Sequence, residues 1–368
     1  MLVHICCSVD SHYFLSELQK LYPKEKITGF FYNPNIHPKS EHDLRLLDVK
    51  RSCQMLGIEL LEGKYDDKEW CEGVRGLEDE PEKGERCSVC FDTRLLESAR
   101  LAKELGEKTF STTLLSSPMK TQQVLFEQGD KIAEKYGLDF VKIDVRSNGG
   151  TQKQNELSKQ DNLYRQNYCG CKFALQKQRE KQERFPLEFI SPINQQVMPG
   201  SIEYRNRVFE RRNQLEKEGK PYLLTQQNQI VWRCLNAKLE HFKEVVWCHI
   251  LAHSKAKKNL RMGSLFWGIP QALKGVLKKG SLGYSKKDES LFLTLAGLNE
   301  IMQTQYQTIR DMFKNPLSYA QELYLRRVLT EDQSLCPIVI IQEEIVEDLR
   351  LHIESFFQEE KVFELIEF

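Results

Sequence analysis

The sequence predicts an α/β fold: a HUP-like (Rossmann-like) parallel sheet with helices on both faces, followed by a mostly α-helical C-terminal domain. Three observations carry that expectation. Short apolar runs alternate with stretches of helical spacing through the first half of the chain, as a parallel sheet with crossover helices requires. The chain has 368 residues, more than the roughly 250–300 at which one hydrophobic core stops growing. Two domains are therefore expected, 1–185 and 186–368. Beyond a boundary near Phe185–Pro199 the pattern changes to long charged stretches, read as helices over Ile202–Glu218, Gln226–Val246, Leu291–Phe313 and Leu317–Arg327.

Taken in order, Leu2–Ile5 is a strand, followed by a helical pattern over Tyr13–Leu21 in which Phe14, Leu15, Leu18 and Leu21 share a face. Ile27–Tyr32 is a second strand, closed by Asn33-Pro34-Asn35. Leu44–Leu56 reads as helix, Ile58–Leu61 as strand and Arg94–Leu105 as helix. Thr109–Leu115 and Phe140–Val145 read as further strands around a helix over Gln122–Tyr136. The polar run from Gly149 to Asp161 has no periodicity and reads as a loop, either a plain surface loop or one covering a substrate. In open α/β sheets ligands bind beyond the carboxyl ends of the strands. Those ends carry Cys6-Cys7, Tyr32-Asn33 and Thr112-Thr113.

Composition narrows the class. Lys plus Arg equals Asp plus Glu at 53 each, so the formal net charge is zero and any nucleic-acid partner must meet a local basic surface. No apolar stretch approaches the ~20 residues needed to span a bilayer, and the N-terminus lacks a signal-peptide pattern. A cytoplasmic protein with no membrane partner is expected. In a reducing compartment, eleven cysteines point to metal ligands or redox thiols rather than disulfides.

Six of those cysteines fall in three tight groups: Cys6-Cys7, followed by Asp10; Cys87-Ser88-Val89-Cys90; and Cys169-Gly170-Cys171. Thiolates select zinc, copper(I) or iron–sulfur clusters. Adjacent cysteines diverge in an extended strand, but at a strand end leading into a turn both can face one polynuclear centre or two neighbouring metals. Asp10 adds a hard oxygen donor that suits iron, and helix N-terminal capping is its alternative role. One closed structural zinc needs four ligands; this set offers six sulfurs and a carboxylate. Two centres, or a cluster with a neighbouring metal, account for the number, while zinc and a dithiol redox site remain as alternatives. The isolated Cys53, Cys71, Cys234, Cys248 and Cys336 read as small buried hydrophobes. The loop after the first strand is where ATP-dependent tRNA-thiolating enzymes of the PP-loop kind carry Ser-Gly-Gly-x-Asp-Ser. Here thiols replace the glycines, which argues against close approach of a pyrophosphate.

Five motifs in order resemble the epoxyqueuosine reductase family called QueH: Cys6-Cys7-x-x-Asp10; Tyr32-Asn33-Pro34-Asn35-Ile36-His37-Pro38; Arg86-Cys87-x-x-Cys90-Phe91-x-x-Arg94-Leu95; Ser111-Thr112-Thr113-Leu114-Leu115-x-Ser117-Pro118-x-Lys120; and Tyr168-Cys169-Gly170-Cys171. The likeness runs over about residues 1–180. It implies a cytoplasmic enzyme of the last step of queuosine formation, which removes the epoxide oxygen of epoxyqueuosine at the tRNA wobble position without cobalamin. It implies a 4Fe-4S cluster beside an adjacent mononuclear iron, a tRNA substrate carrying epoxyqueuosine in its anticodon, and an electron donor of unknown identity. The ligand set it implies is Cys6, Cys7, Asp10, Cys87, Cys90, Cys169 and Cys171. Asp10, Tyr32, His37 and Tyr164 are the catalytic candidates, the last three as proton donors. Asn33, Arg94, Lys120 and Arg165 are the substrate-binding candidates.

The second half lies outside the likeness. Arg205, Arg207, Arg211 and Arg212, the run Lys255–Arg261, and Lys274, Lys278, Lys279, Lys286 and Lys287 are locally basic, with Phe266-Trp267 and Tyr284 between them. Cations interleaved with aromatics suit RNA with unstacked bases; solvated helix faces over an aromatic core are the alternative. The tail Glu343–Phe368 is acidic and unsuited to RNA. Two further functions share these features: cluster-dependent tRNA thiolation, and a non-enzymatic zinc-binding RNA module.

Overall fold

In the computed structural model, residues 1–117, 122–190, 196–331 and 333–368 are described. They form two compact units, one of residues 1–189, 205–225 and 363–368, the other of 190–204 and 226–362.

The first unit is built on five parallel strands, β1 (Leu2–Ile5), β2 (Thr28–Phe31), β3 (Glu59–Glu62), β4 (Thr109–Thr112) and β5 (Asp139–Phe140), in the order β3-β2-β1-β4-β5. β1 and β2 are buried at every position, which is why they read as continuous apolar runs rather than alternating ones. The order reverses between β1 and β4. Right-handed crossovers then send the connecting helices to opposite faces, and the switch point opens a crevice at the strand carboxyl ends.

The helices are α1 (Ser8–Leu21), α2 (Lys39–Leu56), α3 (Asp67–Gly73), α4 (Glu85–Glu104), α5 (Gln122–Tyr136), α6 (Gly150–Gln160) and α7 (Lys172–Lys181). Phe14, Leu15 and Leu18 of α1, and Leu95, Ala99 and Ala102 of α4, join Leu2, Val3, Ile5 and Phe110 of the sheet in one core. The run read as a loop from Gly149 to Asp161 is instead helix α6. Its buried residues, Gly150, Gln154 and Ser158, recur every fourth position but are polar or small, so no apolar period announces them. A Cβ on Gly150 would fall 1.9 Å from the Val145 carbonyl oxygen, so only glycine allows this start.

Helix α8 (Ile202–Glu218) matches the expected helix, but half of its arginine group is not a surface. Arg212 is fully buried and pairs with Asp48 at 2.7 Å. Arg205 is buried and hydrogen-bonded to Tyr164, and Arg211 pairs with Glu367 at 2.5 Å.

The second unit corrects the expectation of a mostly helical domain. Its strands are β6 (Tyr222–His241), β7 (Glu244–Val246), β8 (Cys248–Ile250), β9 (Lys257–Arg261), β10 (Phe266–Trp267), β11 (Leu282–Ser285), β12 (Ser290–Thr294), β13 (Ile338–Ile341) and β14 (Leu349–Glu367). They form two sheets, ordered β10-β11-β12-β13-β8 and β7-β6-β14-β9. The stretch Gln226–Val246, read as helix, is mostly the long strand β6, and Leu291–Phe313 opens as strand β12 before α9 (Leu295–Met302) and α10 (Ile309–Lys314). Leu317–Arg327 is helical, as α11 (Tyr319–Leu329). β6 misleads because most of its residues are exposed or half-exposed, which erases the alternation that marks a half-buried strand. Among the described residues no helix is long and apolar enough to cross a membrane.

Candidate functional site

Three chain segments bring the cysteine groups to one place. β1 ends at Ile5, whose carbonyl accepts a hydrogen bond from Asn33 Nδ2 at 2.8 Å. The Cys6 amide donates to Thr113 Oγ1 at 3.3 Å. The strand end is thus pinned from both neighbours just before the backbone turns into α1. There Cys7 occupies the extended N-cap position, and the two sulfurs lie 3.8 Å apart. Asp10, in the first turn of α1, puts Oδ2 3.6 Å from Cys6 Sγ. The ligand atoms of Cys6, Cys7 and Asp10 all lie within 4.8 Å of one another.

A second group of thiols faces them. Cys87 and Cys90 share one face of the first turns of α4. Cys169 and Cys171 precede α7, with Cys171 as its N-cap. Cys90 and Cys171 are buried with Trp70 and Val74, and Cys169 packs on them. The Cys169-Gly170-Cys171 loop is fixed by backbone and cation. Gly170 has φ +108°, and a Cβ there would meet Ile36 Cγ1 at 2.8 Å, so glycine is required between the two cysteines. His37 N donates to Gly170 O at 2.9 Å. Arg45, paired with Glu41 at 2.8 Å, donates to the carbonyls of Tyr168 and Cys169 at 2.9 and 3.1 Å.

Both groups border one cavity of about 360 Å³. Cys6, Cys87, Cys90, Cys169, Cys171 and Asp10 line it. Cys7, almost fully buried, lies beneath Cys6 and accepts from Gln166 Nε2 at 3.1 Å. Arg86 and Arg94 are also in the wall, both buried. The two neighbouring thiols diverge electrostatically. The hydrogen bond from Cys7, helped by Arg94 and Thr113, holds Cys6 below the ordinary thiol range against burial and the Asp10 charge. The same bond, with burial and Asp10, drives Cys7 up. Hydrogen bonding to Cys169, with burial, raises Cys171. Of the two, Cys6 is the thiol whose ionisation the shared hydrogen bond favours, and the thiolate is the form that binds metal.

Of the other candidate residues, Arg94 lines the cavity, with Nε donating to the Cys90 carbonyl at 3.0 Å. Asn33 sits behind the cavity, bracing β1. Tyr32 is stacked on Phe30 and does not line the cavity; burial pushes its phenol up to about 12. Tyr164 is fully buried, donating to Glu41 at 2.9 Å, with its pKa raised by burial and by Glu41. It acts as a strut. The ring of His37 packs against Phe189, outside the cavity lining, and its backbone serves the Gly170 loop. Arg165 is exposed and donates to Asn155 and Ser158, away from the wall. Lys120 lies outside the described residues.

Several wall residues had been given no role from the sequence. Asn35, Trp70, Arg86 and Gln166 line the cavity, and among the described residues each carries a buried polar atom with no hydrogen-bond partner: Asn35 Oδ1, Trp70 Nε1, Arg86 Nε and Nη2, and Gln166 Oε1. Gln154 of α6 donates to Asp10 Oδ1 at 3.0 Å and accepts from Ser116 Oγ at 2.8 Å. For Arg86 and Asn35 a signal existed, since both sit inside the quoted motifs. Gln154 had none.

A parallel sheet that gathers six thiols, one carboxylate and two buried guanidinium groups at its carboxyl edge defines an α/β enzyme with a thiol-centred site. The family model described as epoxyqueuosine reductase QueH matches residues 1–177. The chain is 44% identical over 375 residues to the epoxyqueuosine reductase QueH of Helicobacter pylori, covering 100% of both chains. It is 36% identical over 184 residues to that of Thermotoga maritima, covering 49% of this chain and 93% of the relative. It is 37% identical over 177 residues to that of Histophilus somni, covering 48% and 72%. The chain belongs to the epoxyqueuosine reductase QueH family, and it is an oxidoreductase of that kind. Among solved structures, the U34-tRNA thiolase NcsA from Methanococcus maripaludis with its 4Fe-4S cluster covers 58% of this chain and 72% of its own at TM-score 0.29 and 15% identity, a likeness too slight to argue from.

Proposed function

We propose that this chain removes the epoxide oxygen of epoxyqueuosine at the tRNA wobble position, giving queuosine, with Cys87, Cys90, Cys169 and Cys171 holding a 4Fe-4S cluster and Cys6, Cys7 and Asp10 an adjacent mononuclear iron. The observation that supports this most is the division of the ligands around one cavity: four thiols on α4 and the loop before α7, and a tripod of two sulfurs and one carboxylate at the end of β1. Four thiolates are the ordinary ligand set of such a cluster, and the mixed tripod suits a single iron with room for a substrate.

The unpartnered polar atoms support the same division. Among the described residues, Trp70 Nε1 and the Nε and Nη2 of Arg86 are buried N–H donors without acceptors. Trp70 packs on Cys90 and Cys171, and the Arg86 charge favours the Cys171 thiolate. Cluster and thiolate sulfurs are the acceptors that these donors lack. The other orphans in the wall are acceptors instead: Gln166 Oε1, whose amide nitrogen reaches Cys7, and Asn35 Oδ1. They suit the N–H and O–H donors of a nucleoside.

Converting an epoxide to an alkene takes two electrons and two protons, and the oxygen leaves as water. When bound, the cluster supplies the electrons and the single iron the Lewis acidity. The chain's own residues do the rest. Gln154 fixes the Asp10 carboxylate by one oxygen, leaving the other toward Cys6. Arg94 brings a positive charge to the wall, where negative charge develops on the departing oxygen. Asn35 and Gln166 orient the nucleoside, and exposed Glu82, at the cavity edge, passes protons from solvent.

The test is anaerobic reconstitution followed by incubation with tRNA bearing epoxyqueuosine and a low-potential reductant, with mass analysis of the released nucleosides. Conversion to queuosine is expected. An unchanged nucleoside from fully loaded protein would refute the reading.

A further inference from the structure

From Lys255 to Lys287 the chain carries nine Lys or Arg residues and no Asp or Glu, in a protein whose formal net charge is zero. The second unit folds this stretch around an exposed aromatic pair. Phe266, on edge strand β10, pairs in register with Tyr284 of β11. Their ring centroids lie 5.8 Å apart at 33°, and they remain 57% and 45% exposed. Their strand neighbours face the other way: Trp267 donates to the Ile345 carbonyl, and Ser285 is buried on Asp288. Both faces of this sheet are packed over its inner strands, Leu282, Leu293, Ile338 and Ile340 on the Tyr284 side and Phe292 and Val339 on the other; among the described residues the two rings stay exposed at the β10–β11 edge, where that packing runs out.

The cations flank the same two strands. Lys274, Lys278 and Lys279 lie in the connection from β10 to β11; Lys286 and Lys287 lie in the turn from β11 to β12, two and three residues past Tyr284. Glu300 takes Lys278 at 3.4 Å, Glu289 takes Lys255 at 2.9 Å and Asp348 approaches Arg261 at 4.0 Å. Among the described residues Lys258, Lys274, Lys279, Lys286 and Lys287 have no acidic partner, and all are exposed. Unneutralised lysines attract a polyanion. Exposed ring faces add a preference for one whose bases are unpaired, since every base has a face to stack.

We propose that this face of the second unit binds a single-stranded segment of tRNA, Phe266 and Tyr284 stacking unpaired bases while Lys274, Lys279, Lys286 and Lys287 meet phosphates. The proposal rests on the reading that tRNA is the substrate, and it assigns a role to the second unit, which lies outside the family match over residues 1–177. An acidic protein would satisfy the lysines but leaves the paired rings unexplained.

The experiment uses the full chain, metal-loaded, with a labelled tRNA transcript titrated at several salt concentrations. In one variant, K279E/K286E/K287E, affinity should fall at least about tenfold, and the slope of log K against log salt should flatten by about two, at ~0.7 per single-strand phosphate contact. In a second, F266A/Y284A, binding of tRNA should weaken with the slope unchanged, while binding of a fully paired RNA duplex should not change. A milder K286A/K287A variant carries the same test should the charge reversal fail to fold. Wild-type affinity and slope in all folded variants would overturn the proposal and leave the face to an acidic protein. Nucleoside conversion is measured separately. Conversion by a protein whose variants bind like wild type sinks this inference alone; variant-sensitive binding without conversion sinks the reductase reading and leaves this one standing.

Discussion

Asp10 Oδ2 lies 3.6 Å from Cys6 Sγ, while Oδ1 of the same carboxylate is held by the amide of Gln154 at 3.0 Å. A carboxylate fixed by one oxygen presents the other in a single direction, and partners that orient a ligand in this way raise metal affinity. Replacing Gln154 by Leu removes the hydrogen bond and leaves Ser116 Oγ without its acceptor. Affinity for the single iron should fall about 10–100-fold, with the four-thiol group still loaded. Iron content after graded chelation, followed beside the cluster absorbance, checks this.

Trp70 Nε1, beside Cys90 and Cys171, is a buried donor with no acceptor among the described residues. If it donates to a cluster sulfur, it stabilises the reduced, more negative state. Trp70→Phe keeps the packing and removes the N–H. For a hydrogen bond of ~1 kcal/mol and ~59 mV per tenfold in a one-electron couple, the midpoint potential should drop by about 40 mV. Potentiometric titration of the loaded protein reads it directly. An unchanged potential would mean that Trp70 faces no sulfur.

Asp48 is the hub of the first unit. Its two oxygens take Arg212 at 2.7 Å, the Tyr164 amide at 2.7 Å and the Ser8 hydroxyl, all in the dry interior. Asp48→Ala strands the Arg212 charge and should cost about 3–5 kcal/mol. Paired with Arg212→Met, the loss should shrink, because no uncompensated charge remains. Denaturant unfolding of both variants gives the comparison.

How far the sequence alone revealed the protein depended on where apolar residues do the folding. β1, β2 and β4 were legible because both faces are buried, and so were the points where Cys6, Asn33 and Thr112 leave the sheet. The six cysteines were legible because thiols are rare and grouped. Helix α6 was not, because its inward face is Gly150, Gln154 and Ser158 rather than Leu or Val. Strand β6 was not, because Gln226–Gln229 and Leu235–Lys238 are exposed or half-exposed on both sides. Arg45 and Gln154 reach the site from helices far away in sequence, and no local spacing marks such a residue. The proton-donor candidates Tyr32 and Tyr164 show the converse: lying near a motif in sequence does not place a hydroxyl in the cavity.

In the second unit, His253 Nε2 meets Tyr319 Oη at 2.8 Å. Burial, with Arg326 nearby, lowers its pKa below 6.5, and Glu322 only partly opposes them. The unfolded chain therefore takes up a proton below about pH 6.5 that the folded chain refuses. Stability from this group is present above that pH and is lost as the pH falls toward the lowered value. Between pH 7 and pH 5 the wild type should lose more unfolding free energy than His253→Gln, with a slope of up to about 1.4 kcal/mol per pH unit. Equal losses would show that His253 protonates freely in the fold.

The most direct test of the two-set assignment is iron and acid-labile sulfide content, with the absorption spectrum, of anaerobically prepared wild type and Asp10→Ala. The account predicts about five irons and four sulfides per wild-type chain. The variant should lose one iron and keep all the sulfide, its brown colour and its bleaching by reductant. Loss of the sulfide together with the iron in Asp10→Ala, or a colourless wild type holding only zinc, would contradict it.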